Sequence, residues 1–283
     1  MHALSASTTA LIFGGALVAG VLGALVGVGG GVIIVPLLTT LGIDIRLALG
    51  ASLISVIATS SGAAAAYVRD RLTNLRVAIF LEMFTTIGAM TGALLQGALA
   101  GPVLSFIFAG VLLLSGVGML VRPDASERSG AAPDPAAKRL RLDGCFHDKA
   151  TGREVRYEVR HLALGSGLMF VAGNVSGLLG IGSGALKVPA MDLALGMPIK
   201  ASSATSDFMI GVTAAASAGI YFARGEIQPA LAAPVALGVL LGALGGTRLL
   251  GRLQSAWIRR VVVVVLIALA AQMVLHGLQM KGA

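Results

Sequence analysis

LVGVGGGVIIVPLL, residues 25–38, is apolar enough to lie in lipid, yet it holds four glycines and a proline, the residues that most weaken a helix. A near copy, LLGIGSGALKVPAM, occupies residues 178–191. The match extends well past the glycines. Gly27, Gly29, Gly31 and Pro36 fall on Gly180, Gly182, Gly184 and Pro189 at an offset of 153. Gly42, Arg46, Ser52 and Tyr67 fall on Gly196, Lys200, Ser206 and Tyr221 at 154, and Gly88 and Gly92 fall on Gly238 and Gly242 at 150. A register held over that distance marks an internal duplication, of residues 8–121 and 161–277.

Composition places both copies in a membrane. Of 283 residues, 56% are hydrophobic and 12% charged, about half the charged share of a soluble domain. Several apolar runs, among them 47–68, 77–100, 102–121, 201–223, 229–247 and 261–275, suit bilayer crossing, which takes about 20 residues. They are continuous rather than alternating, so barrel strands are excluded. The opening MHALSAS lacks Lys and Arg and does not read as a cleaved secretory signal. The expected fold is an all-α polytopic membrane protein of two repeats, each a broken or re-entrant helical segment plus three transmembrane helices. The expected domains are 1–121, a connector at 122–160, and 161–283.

The net charge of +8 sits in the loops and speaks for membrane orientation rather than nucleic acid. Cys145 is the single cysteine and the four histidines are scattered. No metal cluster, cofactor site or nucleophile–base pair can be read from them, and no enzymatic activity is expected. The connector RPDASERSGAAPDPAAKRLRLDGCFHDKATGREVRYEV begins like a flexible linker. Its later part alternates at Leu140, Leu142, Val155, Tyr157 and Val159 around DKATG, which suggests a β-hairpin, with a disordered loop as the alternative.

Topology turns on residues 8–41 and 161–196. If each folds back on itself, and Lys187 within its membrane segment is left out, one side of the membrane holds 17 Lys and Arg, and the other holds three, Arg46, Arg224 and Lys281. A single crossing each would give 14 against six. Positive residues collect inside, so the even count is preferred. Both termini then lie outside a prokaryotic-type inner membrane, the connector is cytoplasmic, and the two halves are inverted. Inverted repeats with broken helices near the midplane are a common plan of secondary transporters.

Glycine and proline inside such a helix release backbone groups that hydrocarbon does not tolerate. A short helix starting after GVGGG or GIGSG would aim free N–H groups, with the positive end of its dipole, at an anion. The candidate ligands are Gly27, Gly29, Gly30, Gly31, Gly180, Gly182, Ser183 and Gly184. Simple helix packing is the other reading of these glycines. Neither stretch continues into GK[ST], so a nucleotide loop is excluded. Lys187 replaces Ile34 of the first half and lies in apolar sequence, where a charge costs on the order of 3 kcal/mol. It should face a ligand, or else pair with Asp192 or Asp207 or reach the interface. Ser52, Thr205 and Ser206 are candidate hydroxyl donors. Asp207 would repel an anion and is read as a coupling group or counter-charge. Asn174, Pro36 and Pro189 are read as support for the broken backbone, and Glu82, near the end of its span, receives no role.

Together these stretches resemble the sulfite exporter TauE/SafE family of membrane permeases. The resemblance is carried by VGVGGGVIIVPLL with ALGASLISV, by LLGIGSGALKVPAM with IKASSATSDFMIG, and by GALLQGALAG and GALGGTRLLG. Ser183 stands where that family commonly has another glycine. The resemblance implies secondary transport, as an exporter, of sulfite, thiosulfate or small organosulfonates, driven by an ion gradient, with H+ or Na+ as the coupling ion. The lipid bilayer is the other partner, and homo-oligomerisation stays open. Another anion or ion as cargo, or a non-transport membrane subunit, are the alternatives.

Overall fold

A computed structural model describes residues 6–26, 30–121, 134–148, 152–182, 184–250 and 255–282. The first half comprises α1 (Ala6–Val26), α2 (Gly31–Thr40), α3 (Ile45–Arg69), α4 (Leu75–Ala98) and α5 (Gly101–Val121). The connector holds α6 (Pro135–Arg139), β1 (Gly144–Asp148) and β2 (Arg153–Tyr157). The second half repeats the first, element for element, as α7 (Leu162–Leu179), α8 (Gly184–Leu193), α9 (Ile199–Ala223), α10 (Pro229–Leu250) and α11 (Ser255–Gly282). Six of these helices are long and apolar enough to cross a bilayer, and the chain is an all-α polytopic membrane protein.

Both short helices fold back. The Leu195 carbonyl, just past α8, accepts the Arg160 amide, just before α7, at 3.0 Å, and the Leu195 side chain covers Gly165. The α7–α8 hairpin therefore starts and ends on the connector face. In the first half Leu37 of α2 covers Gly15 of α1 in the same manner. A continuing helix would have carried Leu37 about 33 Å away at 1.5 Å per residue.

The start of α3 meets the end of α9 on the opposite face, where Gly50 lies against the Glu226 carbonyl and Arg46 Nη2 donates to Leu99 O at 3.0 Å. The end of α3 meets the start of α9 on the connector face, where the Asn74 amide donates to Thr205 Oγ1 at 3.1 Å. Equivalent helices thus run in opposite directions.

The halves interleave. α1 packs along α10, and α7 along α4. A Cβ on Gly88 or Gly92 would strike the carbonyls of Phe170 and Asn174, and one on Gly238 or Gly242 those of Phe13 and Leu17. Here the absence of a side chain is what lets two backbones touch, the usual device of helix pairs in lipid. On α4, Val77, Leu81, Thr85, Ala89 and Gln96 point inward, while Ile79, Met83, Ile87 and Leu94 point out. Apolar residues outside and hydroxyls, Glu82, Lys187 and Asp207 inside is the arrangement suited to lipid.

The connector is folded against this body. β1 and β2 pair antiparallel, from Gly144 with Tyr157 to Asp148 with Arg153. Leu140 and Leu142 precede the strands, and residues 135–139 form α6, a correction to the flexible-linker reading for that part; residues 122–133 lie outside the described ones. Asp134 links the connector to the membrane helices: Oδ1 accepts the Ala136 amide at 2.9 Å and Oδ2 the Leu162 amide at 2.8 Å. Those bonds, the Leu162 one foremost, hold its carboxyl below the ordinary range. Asn74 Nδ2 donates to Leu142 O at 2.8 Å and to the Tyr157 hydroxyl at 3.0 Å.

Candidate functional site

The second break follows from its glycines. Gly180 ends α7 at φ 62° and Gly182 follows at 74°, left-handed conformations that glycine adopts without a Cβ penalty. The carbonyls exposed by the break are taken up by side chains. Tyr221 Oη lies 2.8 Å from Gly177 O and 3.1 Å from Leu178 O, and Ser52 Oγ donates to Gly180 O at 2.8 Å. Pro189 lies within α8 and Pro36 within α2, where the Pro36 carbonyl accepts Gln272 Nε2 at 2.8 Å.

The two breaks meet. Gly31, which opens α2, faces Ser52, Val56 and the Ile181 backbone, and Gly182 faces Val56 and Ile210. Val56 and Ile210 are repeat partners near the middles of α3 and α9, so the meeting point is at mid-height. Gly30, the residue before α2, provides no side-chain cap. Its carbonyl takes the Ile33 and Ile34 amides at 3.1 and 3.2 Å; the amides of Gly31 and Val32, in the first turn, have no acceptor within the helix. Gly184, which opens α8, is buried. Gly27, Gly29 and Ser183 lie outside the described residues.

Lys187 is fully buried in the first turn of α8. Its Nζ donates to Thr213 Oγ1 at 2.6 Å. The Thr213 hydroxyl lies 2.7 Å from Glu82 Oε1 and 2.8 Å from Met209 O. Thr86 Oγ1 adds a bond to Glu82 Oε1 at 3.1 Å, while Glu82 Oε2 is buried with no partner among the described residues. Among those residues, the charge beside Lys187 is Glu82. Asp207 is buried on α9 and neighbours the Tyr67 hydroxyl instead.

Other expected residues are placed differently. Asn174 Nδ2 donates to Thr91 Oγ1 at 3.0 Å, fastening α7 to α4 rather than supporting the break. Thr205 holds the α3–α4 turn through the Asn74 amide. Ser52 closes a backbone carbonyl, whereas its repeat partner Ser206 is buried with no hydroxyl partner among the described residues.

Glu82, Thr213 and Tyr221 are the polar residues of this region to which the reading of the sequence gave no role. Glu82 did leave a signal, as the one ionisable residue in the run 77–100. Such a residue inside a membrane segment is a functional candidate by default. Tyr221 could have been found as the repeat partner of Tyr67, placed so that its hydroxyl reaches a break.

Inverted repeats, helices interrupted where the halves meet, and a charged pair held away from lipid define a membrane transporter. The family model described as Sulfite exporter TauE/SafE matches residues 12–273, and the chain belongs to that family. It is similar to the Probable membrane transporter protein YunE of Bacillus subtilis (strain 168), 27% identical over 270 residues that cover 93% of this chain and 96% of that protein. It is also similar to the Probable membrane transporter protein YdhB of the same organism, 26% identical over 231 residues, or 81% and 85% of the two chains. No solved structure matches the chain.

Proposed function

We propose that this transporter is a secondary exporter of small sulfur oxyanions, such as sulfite, thiosulfate or an organosulfonate. It works by alternating access around the meeting point of the two breaks. The anion is held by the first-turn amides of α2 and α8, by Lys187, and by the Ser206 hydroxyl. One observation carries this reading: the acceptor side of the α7–α8 break is closed by Ser52 and Tyr221, while its donor side holds a buried ammonium. Of three ammonium hydrogens, one has an acceptor among the described residues. With the Gly177, Leu178 and Gly180 carbonyls already bonded, the donors left over at the break favour an anion over a cation.

The gradients of the anion and of the coupled ion, H+ or Na+, together set the driving force. Both termini lie outside the cell membrane and the connector in the cytoplasm. Cys145, the chain's single cysteine, is exposed on β1, so a membrane-impermeant maleimide should label it only after cells are permeabilised. Labelling of intact cells would reverse the orientation. For cargo, proteoliposomes loaded with labelled sulfite or thiosulfate should release it through wild type and not through Lys187→Ala. Equal release from the two would remove Lys187 from the anion site.

A further inference from the structure

The anion site just proposed has a carboxylate at its edge, and the inference below rests on that reading. Glu82 comes from α4 of the first half, while Lys187 and Thr213 come from α8 and α9 of the second. Three helices thus converge on one hydroxyl. The positions equivalent to Lys187, Thr213 and Glu82 in repeat register are Ile34, Thr59 and Ala232. The hydroxyl is duplicated, and both charges occur once.

Without cargo, Lys187 and Glu82 balance. An anion that binds the two remaining ammonium hydrogens adds uncompensated negative charge to a buried place, which desolvation penalises. With Lys187 protonated, one proton on Glu82 restores neutrality for a singly charged anion and offsets half the charge of a dianion such as thiosulfate. The bonding around Thr213 accommodates both states. Its hydrogen has two acceptors, Glu82 Oε1 at 2.7 Å and Met209 O at 2.8 Å. When Glu82 is neutral or moves aside, that hydrogen turns to the Met209 carbonyl and no donor is stranded.

Other titratable groups around Glu82 leave this balance alone. α7 contains none. On α9, Lys200 is exposed at its start, Asp207 neighbours Tyr67, and Tyr221 bonds the α7 carbonyls. On α8 the second ionisable residue is Asp192, five residues beyond Lys187 and half-buried rather than buried. On α4 itself Arg76 reaches the Arg141 carbonyl of the connector.

We propose that Glu82 is the resident counter-ion that an incoming oxyanion replaces at Lys187, and that one proton taken up by Glu82 completes the exchange. Anion and proton then cross together, one of each per cycle. The direction of net movement follows the sum of their gradients.

Thiosulfate, which does not titrate near neutral pH, is the probe, bound to the purified full chain and carried by it in proteoliposomes. Wild-type affinity should weaken with rising pH, approaching tenfold per unit, the limit for one linked proton. In Glu82→Gln binding should persist, the pH dependence should vanish, and thiosulfate exchange should continue without proton uptake. Asp207→Asn should keep the wild-type slope. An unchanged slope in Glu82→Gln, or a slope lost in Asp207→Asn instead, overturns the inference while leaving the anion site intact. Full binding by Lys187→Met, or no binding by wild type, overturns the anion site and the inference with it. Should Glu82→Gln fail to fold, Glu82→Met removes the same carboxylate and should lose the slope in the same way, and a wild-type slope there also overturns the inference.

Discussion

Around the α7–α8 break stand Lys187, Thr213 and Glu82; around the α1–α2 break the same places in the repeat are Ile34, Thr59 and Ala232. The frame is shared. Each half has a helix that stops at glycines, a ten-residue helix that returns, and a long helix whose middle faces the gap. The chemistry is not shared. Duplication supplied two hydroxyls and two amide ends, and the charged pair stands beside the second set, one charge from each half. The paired charges lie on opposite halves, so the contact joins two bodies that alternating access would have to move against each other.

The largest effect should come from the charged side. Lys187→Met leaves Glu82 buried and unpaired, which should cost about 3–5 kcal/mol of stability, and transport should be lost with the ammonium that holds the anion. Ile34→Met, its repeat counterpart, conserves volume and should cost less than about 1.5 kcal/mol with transport retained. Unfolding in detergent and proteoliposome flux measure the two. If the pair behaved alike, the breaks would be functionally equivalent and the asymmetry incidental.

The shared frame makes the opposite prediction. Gly92→Ala and Gly242→Ala should destabilise by similar amounts, about 1–3 kcal/mol, because each new methyl meets a backbone carbonyl of the crossing helix and forces the helices apart. Gly167→Ala, which meets nothing, should be neutral or stabilising by up to about 1 kcal/mol, the helix preference of alanine over glycine. Unequal costs at residues 92 and 242 would show that the two crossings carry different loads.

Next come the serines. Ser52→Ala strands the Gly180 carbonyl and should cost about 1–2 kcal/mol. Ser206→Ala removes a hydroxyl with no partner among the described residues and should cost less, while weakening thiosulfate binding. The reverse order in melting temperature would exchange their roles. The smallest effect is acid sensitivity of the connector. The carboxyl of Asp134 is held low by the Leu162 and Ala136 amides. Its contribution is therefore complete above the ordinary carboxylate range and is lost as pH falls through the lowered value. Proteolysis of the connector should accelerate in acid, and Asp134→Asn should weaken that dependence.

Legibility followed the range of the physics. Broken helices at Gly180 and before Gly31 could be read because glycine and proline act locally, and the fold-back could be read from where Lys and Arg gather. The hairpin of the connector showed in its alternation, but α6 did not, since five residues between prolines, alanines and a basic pair carry little period. Asn174 was misplaced for a different reason. Adjacency in sequence set it beside the break, while the face of α7 it occupies turns it to Thr91 of α4.

By itself the sequence determined a duplicated, inverted membrane protein with its helices interrupted twice, because apolar length, glycine clusters and loop charge are properties of the linear chain. It also singled out Lys187 as a charge that must find company away from lipid. Which company was decided by the tertiary structure alone. Asp192, Asp207 and Glu82 all carry the required sign, and the two aspartates are much nearer along the chain. The crossing of α4 over α9 brings Glu82 to Thr213, and the free energy of burying a charge depends on the atoms beside it, not on distance in sequence.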